Sequence, residues 1–315
     1  MSRSTRVSVL CLFLGTLFWS FAGVFVKHLS LQAIDADVQN LYRYAAGTMS
    51  LWILVFYLFG RGALTTLKRT HTFLLPTTIL CVFQVVMVSS LYKKSIYPGF
   101  SSLLSKSSVL FGAILAFILF RDERKTILSW RYLVGGLLGM IGVVGVVMFG
   151  ETARAEFSEG VFLVILSAFL WACYTLSMKP VLRHTHPIIA FAVISTFTTL
   201  FFLVLASARS RPMQFFTEVS VRDQVLIVLS GLLCIGAAHS LYFRAVSDLG
   251  VAVCSSFLLV QPLITGTLSA IALGERLRPG QILMGGVLLA GVYLSTVAGQ
   301  RARRTPEAVP LQEET

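Results

Sequence analysis

Residues Pro98–Phe120 read PGFSSLLSKSSVLFGAILAFILF, and their only charged residue is Lys106. A helix of about 20 predominantly apolar residues spans the hydrocarbon core of a bilayer. A stretch this long and this apolar therefore predicts a transmembrane helix. Lys106 lies about 12 Å from the start of that helix, at 1.5 Å per residue, and so falls near the middle of the membrane.

The whole chain has a similar composition. Its 315 residues are 56% hydrophobic and 13% charged, with a mean hydropathy of +0.81, whereas soluble domains are about 45–50% apolar and about 25% charged. A larger core does not explain this excess, because a soluble chain still needs a charged surface. The net charge of +12 does not indicate nucleic-acid binding, since the lysines and arginines lie mainly between the apolar runs, as membrane topology requires.

Ten apolar runs follow one another along the chain. Because a run of this kind is long enough to cross a bilayer, we predict an all-α membrane protein with ten transmembrane helices. The first run resembles a signal peptide, but it is too long and has no clear cleavage site before Lys27, so we predict that it is retained. The runs are Val7–Val26, Val38–Phe59, Phe73–Tyr92, Pro98–Phe120, Tyr132–Phe149, Gly160–Met178, Pro187–Ala206, Val225–Phe243, Val251–Leu273 and Gln281–Ala298.

The distribution of basic residues predicts the orientation. With the N-terminus inside the cell, 15 lysines and arginines lie on the cytoplasmic side and nine on the outer side. Cytoplasmic loops are enriched in these residues, so we predict a multi-pass inner-membrane protein with both termini in the cytoplasm. Residues 299–315 are polar and are predicted to form a disordered cytoplasmic tail.

The two halves of the sequence share four motifs in the same order, at an offset of 150 to 152 residues. Each half holds five predicted helices, an odd number, so the second copy enters the membrane from the opposite side. We therefore predict two inverted repeats, residues 7–149 and 160–298, as in many secondary transporters. The motif pairs are Trp19 with Lys27 and Trp171 with Lys179, Ser90-Leu91-Tyr92 and Ser240-Leu241-Tyr242, Glu123-Arg124 and Glu275-Arg276, and Gly135-Gly136 and Gly285-Gly286.

With this organisation the chain resembles the EamA family of the drug/metabolite transporter superfamily over about residues 8–298. The resemblance rests on the order and the doubling of several short motifs. In the first half these are Leu17-Phe18-Trp19-Ser20, Tyr42-Arg43-Tyr44, Ser101-Ser102-Leu103-Leu104-Ser105 and the later Glu123; in the second half they are Phe169-Leu170-Trp171-Ala172, Gln261-Pro262-Leu263 and Gly274-Glu275-Arg276.

The sequence departs from this family pattern at two places in the fourth helix. Val109-Leu110 stand where a proline is expected, and Lys106 stands where a small or apolar residue is expected. The resemblance implies ten helices, a central cavity and transport of amino acids or similar metabolites, often outward.

Lys106 is the strongest candidate for a substrate-binding residue. A lysine in the middle of a membrane costs about 2.5–3.5 kcal/mol, and the 14 acidic residues fall in loops, tails or helix ends. We expect Lys106 to face an aqueous cavity and attract a carboxylate or phosphate. The alternative is a solvated or partly neutral lysine that holds water or backbone carbonyls. Ser102 shares its helical face, where it either binds the substrate or packs closely.

Two further ionisable residues lie within the predicted helices. Arg43 either binds a substrate anion through two hydrogen bonds, or extends to the outer interface or pairs with Asp35 or Asp37. His239 either relays protons or is a hydrogen-bonded packing residue. Because the spans contain no acidic residue, we do not expect carboxylate-based proton coupling. Coupling then uses His239, Lys106 or another ion, or the substrate gradient drives transport alone.

Amide and aromatic side chains complete the predicted substrate site. Gln261 precedes Pro262, and a polar residue beside a proline break in a membrane helix often meets a ligand. The aromatic candidates either stack on the substrate or pack against lipid and protein. They are Trp19, Tyr44, Tyr92, Trp171, Tyr174 and Tyr242.

Glycine-rich stretches mark the fifth and tenth predicted helices. Glycine permits close contact between helices, and we expect this packing within one chain, with the protein a monomer or a weak homodimer. The repeated Glu123 and Glu275 are expected at solvated helix ends.

These features predict a secondary transporter for small carboxylate-bearing metabolites such as amino acids, and the family resemblance favours export. The alternative substrate is a larger nucleoside-bearing or anionic metabolite, on which the aromatic residues would stack. An enzyme is not predicted, because there is no HExxH, GxSxG, P-loop or His–Asp cluster. The five cysteines have no metal-ligand spacing, so no cofactor or metal is predicted. The expected partners are a small-molecule substrate and the lipid bilayer, without nucleic acid.

Overall fold

The computed structural model describes residues 3–69, 71–119, 128–149, 159–182, 184–209 and 211–304. Within these ranges the chain is helical and has no β-strand. Its α-helices are α1 (Arg3–Leu31), α2 (Ala36–Phe59), α3 (His71–Tyr92), α4 (Pro98–Leu104), α5 (Ser108–Leu119), α6 (Trp130–Met148), α7 (Glu159–Leu182), α8 (Pro187–Arg209), α9 (Gln214–Thr217), α10 (Val221–Ser230), α11 (Ala238–Phe257), α12 (Gln261–Leu273) and α13 (Pro279–Arg304).

Eight helical stretches in the described part of the chain are long and apolar enough to cross a membrane. They coincide with the first eight predicted runs. The ninth and tenth runs correspond to shorter apolar helices, Leu258–Leu273 and Pro279–Ser295. The all-α membrane architecture is therefore confirmed. Helix α13 continues to Arg304, past the predicted end at Ala298, and the rest of the predicted tail lies outside the described residues.

Large apolar side chains cover the outward faces of these helices. Ile53 is 65% exposed, Leu137 60% and Ile271 79%. Soluble proteins rarely expose apolar patches of this extent, whereas a bilayer solvates them without cost. The interior instead holds buried polar and charged residues, among them Arg43 and Lys27.

The fourth predicted helix is confirmed over Pro98–Leu119 as a stretch long enough to cross a membrane, and its helical geometry changes locally near the middle. A 3₁₀ turn at Ser105–Ser107 separates α4 from α5. No proline causes this break. Within this segment the Ser105 hydroxyl donates to the Ser101 carbonyl over 2.7 Å, and side-chain-to-backbone bonds of this kind often bend helices. A second 3₁₀ turn, Leu258–Val260, precedes α12 at the corresponding place in the second half.

The eighth predicted helix contains a π-helical segment, Gly231–Ala237, between α10 and α11. Such segments are rare and occur frequently at functional sites. Helix α11 then continues through Arg244–Gly250, where the sequence predicted a loop. That prediction is wrong because this stretch has no proline, and its single glycine weakens a helix by about 1 kcal/mol without ending it.

Helices of the first half pack against helices of the second at several places, and four of these pairs make the most extensive contacts. Helix α1 packs against α11, α2 against α8, α3 against α7, and α6 against α13. The last pair meets through glycine: Gly142 faces Leu288, and Gly291 lies against Gly139. The predicted packing of the glycine-rich helices within one chain is confirmed.

Replacing Gly142 with alanine is expected to destabilise the protein. The added Cβ would lie 2.6 Å from the Leu288 Cβ, and such overpacking typically costs about 1–3 kcal/mol. The effect is measured as the thermal midpoint in detergent, which is monitored by size-exclusion chromatography of a fluorescent fusion. Gly136→Ala on the same helix is the matched control, since nothing lies within 4 Å of its added Cβ. An equal fall in both variants would show that the glycine interface does not limit stability.

Candidate functional site

A cavity of about 250 Å³ lies between the two halves of the chain. Helices α1, α2 and α3 and the broken helix α4–α5 form one side, and α7, α8, α11 and α12 form the other. Pockets for drug-sized ligands are about 300–1,000 Å³. This cavity is smaller, which favours a small solute.

Eight of the eleven predicted substrate-binding residues line this cavity. Both halves of the sequence contribute to the set, so the fold brings together residues that are distant along the chain. The eight are Trp19, Arg43, Tyr44, Ser102, Lys106, Trp171, His239 and Gln261.

Lys106 and Gln261 form a hydrogen bond in the cavity wall. The Lys106 Nζ donates to the Gln261 Oε1 over 3.0 Å. Lys106 lies in the 3₁₀ turn Ser105–Ser107, and Gln261 follows the turn Leu258–Val260, so the two helix breaks meet. An amide oxygen accepts a hydrogen bond but carries no net charge. Gln261 therefore holds the ammonium group in place without neutralising its positive charge.

Arg43 is the second cation in the cavity wall. Its side chain is 5% exposed, and its Nε donates to the Ser230 hydroxyl over 3.0 Å. This position excludes the alternative that Arg43 extends to the membrane interface. The bond to Ser230 fixes one edge of the guanidinium group, and Arg43 is among the residues that line the cavity.

His239 lies two residues after the π-helical segment, and its Nδ1 bonds the Ile235 carbonyl over 2.9 Å. A carbonyl only accepts, so in the neutral ring Nδ1 carries the hydrogen and Nε2 is an acceptor. The ring stacks on Phe191 with centroids 3.8 Å apart and meets the edge of Trp19 at 4.8 Å. These contacts favour the packing alternative for His239, with one nitrogen left to accept a hydrogen bond.

Three predicted tyrosines do not line the cavity. Tyr242 and Tyr174 lie behind the cavity tryptophans: Tyr242 packs on Trp19 at 5.0 Å and Tyr174 on Trp171 at 5.4 Å. The Tyr92 hydroxyl instead donates to the Ile34 carbonyl over 2.5 Å. These three tyrosines therefore lie outside this cavity, and their contact with a substrate stays a prediction.

Other cavity residues were absent from the sequence prediction. Gln84, Ser167, Phe191 and Cys234 line the wall. Gln84 could have been predicted from the sequence, since an amide in the middle of an apolar helix is costly and usually functional. The sequence does not single out Phe191, because a phenylalanine in an apolar helix is common whether or not it meets a ligand.

Glu275 does not lie at a solvated helix end, so that prediction is wrong. Its side chain is 8% exposed, and its carboxylate accepts hydrogen bonds from the backbone N–H groups of Gly99 and Phe100, each 2.8 Å long. Gly274, which has a left-handed conformation with φ of 68°, turns the chain after α12 towards α4. Glu123, its counterpart in the first half, lies outside the described residues.

Metal-binding groups are not clustered among the residues that the structure describes: no three His, Cys, Asp or Glu side chains there could share a metal ion. The five cysteines are free thiols. The chemistry of the cavity is therefore that of two cations, hydroxyls, amides and aromatic rings.

This chain is similar to several known proteins. An uncharacterized transporter of Archaeoglobus fulgidus is 27% identical over 296 residues, which cover 91% of this chain and 96% of that protein. An uncharacterized transporter of Haemophilus influenzae is 23% identical over 233 residues, or 70% of this chain and 76% of that protein. One crystal structure matches the fold with a TM-score of 0.65 at 16% identity, covering 95% of this chain and 99% of that one.

The EamA-like transporter family matches this chain twice, over residues 6–148 and 158–297. These matches take in both sides of the cavity and nearly all of the described helices. The chain therefore belongs to the EamA-like transporter family.

Proposed function

We propose that this transporter exports small carboxylate-bearing metabolites, such as amino acids, across the inner membrane by alternating access. The observation that carries the proposal is the Lys106 ammonium group in the cavity wall, held by the uncharged Gln261 Oε1 at 3.0 Å. A carboxylate in the cavity would form charge-assisted hydrogen bonds with Lys106 and with Arg43. Such pairing offsets the cost of keeping two cations within the membrane.

We infer that the chain crosses the membrane ten times, as two inverted repeats over residues 7–149 and 160–298. The helix pairs support this inference. In the inferred repeats α1 corresponds to α7 and α3 to α11, so exchanging the repeats turns the pair α1–α11 into the pair α7–α3. The pairs α2–α8, α4–α12 and α6–α13 each join two corresponding elements and are unchanged by the exchange. The two family matches have nearly the same boundaries as the inferred repeats. In transporters of this kind the substrate site lies at the repeat interface.

The two broken helices support a substrate site at this place. The 3₁₀ turns Ser105–Ser107 and Leu258–Val260 occupy corresponding positions in the two halves and meet in the cavity wall through Lys106 and Gln261. A 3₁₀ stretch in the middle of a helix often marks a functional hinge. The site is asymmetric, because the cations come from the first half and Gln261 and His239 from the second.

A larger nucleoside-bearing or anionic metabolite is the second candidate. Trp19, Trp171 and Phe191 in the cavity wall favour it, since aromatic rings stack on bases. The volume of about 250 Å³ favours a smaller solute.

The purified chain in proteoliposomes tests the two candidates. Vesicles loaded with a radiolabelled amino acid, a dicarboxylate or a nucleotide are diluted, and the loss of label is followed. We expect efflux of at least one small carboxylate and none from vesicles without protein. Efflux of nucleotides alone would favour the second candidate, and efflux only of solutes with neither an anionic group nor a nucleoside would contradict both.

The predicted orientation is tested by reporters fused to the C-terminus. Because basic residues favour the cytoplasmic side, we expect a fluorescent protein that matures only in the cytoplasm to give a signal. An alkaline phosphatase fused at the same position is expected to be inactive. Active phosphatase with a dark fluorescent fusion would reverse the orientation.

A further inference from the structure

Lys27 belongs to α1 and is buried against the C-terminal end of α3. The substrate site does not explain its role there. Its side chain is 1% exposed, and its Nζ donates to the carbonyls of Leu91 over 3.0 Å and Lys93 over 2.7 Å. The same ammonium group lies 5.0 Å from the centre of the Tyr97 ring. A cation at the carbonyl end of a helix is favourable because the helix dipole is negative there. Lys27 thus holds the start of the turn between α3 and α4.

Glu275 holds the other end of the same turn, and it comes from the second half of the chain. Its two carboxylate oxygens accept hydrogen bonds from the N–H groups of Gly99 and Phe100 in α4. The approach is close: a Cβ on Gly99 would lie 2.7 Å from the Glu275 Oε2 and 2.9 Å from the Gly266 Cα. Only glycine at position 99 permits this contact without a shift of the backbone.

The turn between α3 and α4 also forms one end of the cavity. Val26, Leu91 and Pro98 line that end. Gly23 lies against Pro98, where a Cβ on the glycine would be 3.2 Å from the Pro98 Cβ. Val26 and Pro98 are direct sequence neighbours of Lys27 and Gly99, and the Leu91 carbonyl accepts the hydrogen bond from Lys27. A movement of the turn away from α12 would therefore widen this end of the cavity.

We propose that Lys27 and Glu275 are gate residues, which keep the cavity closed on the side of the α3–α4 turn. The inference rests on the proposed alternating access. When the Glu275 carboxylate separates from Gly99 and Phe100, water can replace its hydrogen bonds, and the turn is free to leave the second half. Neither residue lines the cavity, so their role in closing it is separate from substrate recognition by Lys106.

A cysteine-accessibility experiment tests the gate without knowledge of the substrate. Ser102 is replaced with cysteine as a reporter in the cavity, and the five native cysteines are replaced with alanine. A membrane-impermeant maleimide is applied to proteoliposomes from each side in turn. For Glu275→Gln we expect about tenfold faster labelling from the side of the α3–α4 turn, the factor that corresponds to 1.4 kcal/mol, and slower labelling from the opposite side.

Further variants separate a gate from a loss of fold. Gly99→Ala, which displaces Glu275 sterically, is expected to give the same one-sided increase, and Glu275→Asp a smaller one. Glu218→Gln is the matched control, because Glu218 is exposed. Unchanged labelling in both Glu275→Gln and Gly99→Ala, or an equal increase from both sides, would overturn the proposal. Because labelling needs no substrate, a wrong substrate class leaves this test unaffected.

Discussion

Replacing Lys106 with methionine is expected to reduce transport by about 100-fold or more while the protein still inserts into the membrane. Methionine keeps much of the length and volume of the side chain but removes the charge that attracts the substrate carboxylate. Loss of one partner from a buried, hydrogen-bonded charge pair costs about 2–5 kcal/mol, and each 1.4 kcal/mol is a factor of about ten. The initial rate of efflux from proteoliposomes, normalised to the amount of protein, measures the effect.

Arg222→Met is the matched control for this substitution. Arg222 is exposed, and substitutions at such surface positions usually change stability by less than about 0.5 kcal/mol, so we expect a rate within about twofold of the wild type. Lys106→Arg keeps the positive charge and is expected to retain part of the activity. Wild-type transport by Lys106→Met would remove the proposed role of the lysine.

Replacing Gln261 with glutamate is expected to have an effect as large as the loss of Lys106. The glutamate has nearly the same shape, so its carboxylate would take the place of the amide oxygen that now lies 3.0 Å from the Lys106 Nζ. An ion pair would then neutralise the lysine before any substrate arrives, and the added charge would repel a substrate carboxylate. Efflux assays under the same conditions measure the effect.

This second substitution separates substrate binding from a structural role of the same contact. If the bond between Lys106 and Gln261 only joins the two halves, a glutamate strengthens it and transport survives. Gln32→Glu is the control for an added negative charge, since Gln32 is exposed. Gln261→Glu with normal transport and raised thermal stability would favour the structural role.

Lys106 and Gln261 were predictable because their physical cost is visible in the sequence. A charge in an apolar run needs water or a polar partner, and a glutamine beside Pro262 marks a break in a helix. Both arguments use the sequence alone and do not depend on where the neighbouring helices lie. The same reasoning does not reveal that the two residues bond each other, since that contact depends on how the halves pack.

Other features depend on tertiary contacts that leave no local signal. The 3₁₀ turn at Ser105–Ser107 forms without a proline, and the serines of this helix predict ligand contact or close packing, with no signal for the turn. Glu275 follows a helix and resembles any solvated helix end in the sequence, yet the left-handed Gly274 directs it onto the backbone of α4. Phe191 reaches His239 from another helix. Sequence patterns report the cost of burial but not which neighbour offsets it.

The most direct test of the central claim is the affinity of the purified protein for a transported amino acid and for its carboxamide. Isothermal titration calorimetry on the wild type and on Lys106→Met gives the four dissociation constants. Because the proposed site recognises the carboxylate through Lys106, the wild type is predicted to bind the acid at least about tenfold more tightly than the amide, a difference of about 1.4 kcal/mol. The variant is predicted to lose that preference. Equal affinity of the wild type for both forms, or an unchanged preference in Lys106→Met, would contradict the claim that this cavity binds its substrate through Lys106.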